Sequence, residues 1–239
     1  MNTHRKGLLH NLFHIRILVC CTLAIVLSFG GSAVAGYRPP ASQKSPSGYT
    51  ESSGVRGGCQ ANGVGEVVLL APRQHVGQTT AVYPEFAWFV PQKQTMLVEF
   101  SLYEFDENGE PTQLVYQREL PALQGVQKIS LPQEISGLKV GKKYLWQVES
   151  LCNGNRPSEN FLVRAEMEVV DMPADLRAAL AATSDRAQKV KLFAASGMWY
   201  DALEEASQQR DLLAFLWRDL MRWEQGTDDF GFPQVSLGF

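Results

Sequence analysis

Between Glu66 and Val170 short apolar runs alternate with turn residues, at the spacing of an all-β protein. Strands are expected near residues 66–70, 85–90, 96–105, 112–119, 126–131, 143–151 and 161–170. The alternation is clearest in the third run, where Met96, Val98, Phe100 and Leu102 share one face and Glu99, Ser101 and Tyr103 the other. The sixth run turns Tyr144, Trp146 and Val148 inward. The seventh turns Phe161, Val163, Ala165, Met167 and Val169 inward, with Arg164, Glu166 and Glu168 facing out. Asp106-Glu107-Asn108-Gly109 separates the third run from the fourth, and Asn-Gly supplies the positive φ angles of a tight hairpin. Those two strands are therefore expected to be antiparallel neighbours.

After Asp171 the period changes to that of a helix. Pro173 suits a first turn, and Thr183-Ser184-Asp185 offers a cap for a second helix. Ala187, Val190, Phe193 and Ala194 share a face; Gly197 interrupts; Trp199, Ala202, Leu203 and Ala206 resume it. A last stripe of Leu213, Leu216, Trp217, Leu220 and Trp223 completes three or four short helices. Leu212, Phe215 and Met221 fall off that stripe and are the candidate contact surface for a partner. The segment from Gly36 to Gly58 is rich in Pro, Ser and Gly and lacks apolar periodicity, so it is expected to be a flexible tether.

The first residues carry His4, Arg5, Lys6 and Arg16 with no acid, then an apolar run from Ile17 to Phe29, then small residues ending Ala33-Val34-Ala35. This is the order of a secretory leader, and the apolar run is shorter than the ~20 residues a membrane span needs. Cleavage is expected after Ala35, leaving no stable membrane anchor and Gly36 as the mature N-terminus. The expected domains are then a leader at 1–35, a linker at 36–58, a β-sandwich at 59–171, a helical extension at 172–225 and a tail at 226–239. Loss of Arg5, Lys6 and Arg16 leaves 19 of the 22 basic residues against 25 acids, a balance of −6. That surface argues against nucleic acid as a partner. Cys20 and Cys21 leave with the leader, and in an oxidising compartment Cys59 and Cys152 are expected to pair.

Leu138, Gly141 and Tyr144 ahead of Trp146 resemble the tyrosine corner of immunoglobulin and fibronectin type III domains. The fold class expected is an all-β immunoglobulin/fibronectin-like sandwich followed by a small α-helical C-terminal extension. The spacing through Gly197 and Trp199 resembles one tetratricopeptide hairpin, a single unit and not an array. A wider resemblance rests on Arg56-Gly57-Gly58-Cys59, Leu70-Ala71-Pro72, Pro84 with Phe86-Ala87-Trp88-Phe89-Val90-Pro91, Tyr144 with Trp146, Cys152, and Met198-Trp199-Tyr200-Asp201-Ala202-Leu203. In that order these pieces resemble an exported cyanobacterial family, the domain of unknown function 928. The resemblance implies export and carries no catalytic residues over.

Chemistry-bearing candidates are few. Beyond the leader His75 is the single histidine, and it reads as a solvated loop residue without a triad or metal partner. Asp106, Asn108 and Glu110 alternate oxygen ligands but lack the distal glutamate of a calcium loop. Cys59 and Cys152 do not form a C-x-x-C pair, Asp228-Asp229 reads as a solvated pair, and no cofactor fingerprint appears. Phe86, Trp88, Phe89, Tyr144 and Trp146 read as core aromatics. The function expected is a non-enzymatic protein-interaction module, periplasmic or secreted, with an envelope protein as partner. The alternatives are an envelope-polymer hydrolase and a glycan-binding protein.

Overall fold

The computed structural model describes residues 36–42, 44–48, 52–53, 67–91, 97–151 and 160–225. Among the described residues nine strands form two sheets, and four helices follow them. The strands are β1 (Ser52–Ser53), β2 (Val68–Leu69), β3 (Gly77–Thr79), β4 (Glu85–Val90), β5 (Leu97–Phe105), β6 (Pro111–Pro121), β7 (Gly125–Ser130), β8 (Lys143–Leu151) and β9 (Phe161–Val169). The helices are α1 (Ala174–Ala181), α2 (Arg186–Ala195), α3 (Trp199–Ala206) and α4 (Arg210–Gln225). Among the described residues no helix is long and apolar enough to cross a membrane.

The larger sheet has the order β1-β9-β8-β5-β6, and the smaller one the order β2-β4-β7. β5, β8 and β9 fall where the alternation put them, because each has one face against apolar neighbours. Val98, Phe100 and Leu102 of β5 are fully buried, and Leu102 lies opposite Trp146 of β8, itself opposite Ala165 of β9. The core lies between the sheets, where Phe86 of β4 meets Phe100 at 5.1 Å and Trp146 at 5.2 Å between ring centroids. All six residues of β4 are buried, which explains its near-continuous apolar run. β3 was not foreseen: three residues, Gly-Gln-Thr, pair parallel with β9 from Met167 to Val169, too short a run to show a period.

The hairpin between β5 and β6 forms, but its turn differs from the expected one. Only Gly109 has a positive φ, at 80°, and Asn108 does not. The loop runs from Asp106 to Glu110, and the Asp106 carboxylate accepts N–H bonds from Asn108 at 2.8 Å and Glu110 at 3.0 Å. These bonds hold its pKa low despite full exposure. Asp106 thus acts as the loop's own scaffold.

The helices are continuous with the β core. Asp185 caps α2 by accepting the Gln188 N–H at 2.7 Å, and Gly197, with φ 80°, turns the chain into α3. α3 packs against β3 and β4. Its Trp199 indole donates to the Leu70 carbonyl at 2.9 Å, and its Tyr200 hydroxyl accepts from the Trp146 indole at 2.8 Å. One cluster of buried apolar residues runs from Tyr37 through both sheets to Leu220.

Candidate functional site

The segment expected to be a tether is built into this core over its described residues. Tyr37 is buried, edge-on to Trp199 at 5.1 Å, and its hydroxyl is joined to His75 Nε2 by a hydrogen bond of 2.6 Å. The Arg38 N–H donates to the Ala194 carbonyl at 3.0 Å, and a carbon added to Gly197 would stand 2.8 Å from Pro40 N. Further on, the Val76 N–H donates to the Lys44 carbonyl, and Lys44 pairs with Glu168 at 2.6 Å. Over its described residues, 36–42 and 44–48, the chain is thus a strap laid across helices and sheet. Its composition gave no period because single anchors, rather than a repeating face, hold it.

The strap ends in a polar latch. Glu166 of β9, expected to face solvent, has no exposed surface. It accepts from Ser47 N at 2.8 Å and Ser47 Oγ at 2.9 Å, and pairs with Lys143 at 3.1 Å. Lys143 also donates to Ser47 Oγ at 2.7 Å and stands 4.0 Å over the Phe105 ring. A serine beside a lysine suggests a nucleophile and its base. Here the lysine is the ion-pair partner of the buried Glu166 carboxylate, and Ser47 is held between the two.

His75 is correspondingly not a solvated loop residue. It is 1% exposed, packed beside Tyr37 and edge-on to Trp223 at 5.1 Å, and burial pushes its pKa down to about 4. It is neutral and closed off from any substrate. Glu224, buried nearby, accepts the Arg73 N–H at 2.7 Å, while burial raises its pKa.

An accessible recess lies beside Tyr144. The Tyr144 hydroxyl accepts the Lys139 N–H at 2.9 Å and donates to Glu104 Oε2 at 3.5 Å. Glu104 pairs with Lys139 at 3.2 Å and Lys142 at 3.7 Å. Around them opens a cleft of about 190 Å³, walled on its apolar side by Leu114, Val115, Ile135 and Leu138. Leu114 is 48% exposed, and the neighbouring segments carry Val140 at 49% and Val82 at 40%. Glu104 was missed by the sequence reading. The available signal was an acid on the core-facing parity of β5, after Phe100 and Leu102, where only a partnered carboxylate can sit.

The helical candidates are not equivalent. Leu212 and Met221 are half-buried and lean on the core cluster, while Phe215 is half-buried. The aromatics Phe86, Trp88, Phe89, Tyr144 and Trp146 are all core. Cys59, Cys152, Asp228, Asp229, the leader and the C-terminal tail lie outside the described residues.

No curated protein matches the chain. Among solved structures it is similar to a polysaccharide monooxygenase, CBM33, studied by X-ray photoreduction, with 12% identity and a TM-score of 0.26. The likeness covers 41% of this chain and 62% of that one, so less than two thirds of that structure's length is spanned. The model of the domain of unknown function 928 (DUF928) matches residues 51–223, from β1 through both sheets and the helices to Trp223. Over that span, the larger part of its length, the chain belongs to the DUF928 family.

Proposed function

We propose that this protein is an exported, non-enzymatic interaction module of the periplasm or the extracellular space. In this reading the two sheets are an immunoglobulin-like sandwich, the helices stiffen it, Cys59 pairs with Cys152, and the cleft beside Tyr144 receives a segment of an envelope protein. The observation that carries it is the composition of that cleft. Exposed Leu114 lines the cleft with Glu104 and Lys139, exposed Val140 and Val82 stand on the neighbouring segments, and the exposed Lys139 and Lys142 share the one buried carboxylate. Apolar side chains around a small net positive charge suit a partner segment that offers an apolar side chain beside a carboxylate. The pairing of Glu104 with both lysines also favours a module over a hydrolase, whose paired carboxylates would need one free to hold a proton. Of the helical candidates, Phe215 is the stronger secondary contact, because Leu212 and Met221 already lean on the core.

Photo-crosslinking from position 136, an exposed serine on the cleft wall, should trap a discrete protein partner in envelope fractions. Leu114→Ser with Val140→Ser should lose that adduct and keep the thermal midpoint, while Phe215→Ser should retain most of it. An adduct that survives the double substitution and disappears with Phe215→Ser would move the contact surface to α4.

A further inference from the structure

At the head of the strap Gly36 touches Asp219 of α4. A carbon built on Gly36 would stand 2.9 Å from Asp219 Oδ2 and 3.2 Å from its Cγ. That is too close for carbon, but it is the length of a charge-assisted N–H to carboxylate bond. Asp219 is 7% exposed. Its Oδ1 accepts from Arg222 at 3.1 Å, while the buried Oδ2 has no hydrogen-bond partner among the described residues. A carboxylate oxygen buried without a donor destabilises the fold that contains it. The site therefore has the shape and charge to receive one more cation.

We propose that the α-ammonium of Gly36, released when the leader is cut after Ala35, is that cation, and that its pairing with Asp219 completes the fold. The inference rests on the reading of the chain as exported and processed. Hydrolysis of the Ala35–Gly36 peptide bond by a leader peptidase adds one water across it. Ala35 keeps a carboxylate and Gly36 gains an ammonium, with no net proton change near neutral pH. On a glycine, the nitrogen and the position of the absent Cβ are tetrahedral sites on the same Cα. A rotation of about 120° about Cα–C exchanges them. In the precursor that rotation would swing the whole upstream chain; after cleavage it moves only an ammonium group. The group then arrives where the added carbon was placed, about 2.9 Å from Oδ2. The next residues hold Gly36 in position through the Tyr37 hydroxyl on His75 and the Arg38 N–H on Ala194. Removal of the leader is thereby coupled to the last electrostatic step of folding, and the precursor lacks that pair while it is being exported.

A double-mutant cycle on the mature chain tests the pairing. One axis compares a chain beginning at Gly36 with one that retains Ala35, displacing the ammonium by one residue; the other compares Asp219 with Asp219→Asn. Retaining Ala35 should lower the thermal midpoint by about 5 °C when Asp219 is present and have little effect in the Asn variant. A paired amine has its folded pKa raised above the ordinary value near 8. The advantage of the Gly36 chain should therefore be complete below about pH 8 and fade as the pH rises through the folded value. Equal midpoints, or the same loss in Asp219→Asn, would overturn the pairing. Intact mass of the exported product tests the processing separately. A product starting elsewhere than Gly36 overturns the processing reading and this proposal with it, whereas a product starting at Gly36 with a flat cycle overturns the pairing alone.

Discussion

His75 is kept neutral in the folded chain, because burial lowers its pKa from 6.5 to about 4. An unfolded chain takes up that proton as soon as the pH falls below 6.5, while the folded chain resists until about 4. The unfolded state thus binds more protons across this window, and stability should fall with pH from 6.5 to 4 by up to about 3 kcal/mol. Asp201 and Glu224 act in the opposite sense, since burial raises both pKa values. Just above the ordinary carboxylate range the folded chain holds protons that the unfolded chain has lost, so their contribution falls as the pH rises. Denaturant titrations of the wild type and His75→Gln, which keeps a hydrogen-bonding side chain but cannot titrate, isolate the histidine. The variant should lose most of the slope between pH 6.5 and 4; an unchanged slope would show that His75 is not held neutral by the fold.

The strap is the element that the hydrophobic pattern did not reveal, and its crossing of the α2–α3 turn is its most constrained point. Gly197 has a φ of 80° there, and a side chain would meet Pro40 backbone at 2.8 Å from N and 3.0 Å from Cα. Gly197→Ala combines the left-handed backbone cost with overpacking, and should destabilise the chain by about 3 kcal/mol in equilibrium unfolding. The same change should open the strap to proteolysis after Lys44. A loss below about 1 kcal/mol would mean that the strap moves aside without consequence. By contrast β5, β8 and β9 were legible from their alternation, because a half-buried strand repeats its environment every two residues. The stripe of Leu213, Leu216 and Leu220 on α4 was legible for the corresponding helical reason. Glu166 broke the rule, since its outward parity was read correctly but strap residue Ser47 covers it.

Across the whole molecule the helices share the sheets' core instead of forming a separate unit, with Trp199 bonded to Leu70 and Trp146 to Tyr200. Helices of eight to sixteen residues are marginal in water, so they should not outlast the β core that supports them. Far-ultraviolet dichroism and tryptophan fluorescence should therefore report a single coincident thermal transition. The tryptophans lie on both parts: Trp88 and Trp146 on strands, Trp199, Trp217 and Trp223 on helices. An early loss of helical signal with the strand signal intact would show that the helices do not depend on the β core.

The chain's local pattern determined the strands β5, β8 and β9, the helical character of the C-terminal part and its buried stripe. These follow from periodic burial, which neighbouring residues encode among themselves. The tertiary structure decided what depends on residues far apart in the chain: the course of the strap, the neutral His75, the latch on Glu166, the parallel pairing of β3 with β9, and the placing of Gly36 against Asp219. Each depends on contacts between segments whose sequences carry no trace of one another. Periodicity measures whether a face is buried, and it is blind to which distant atom does the burying.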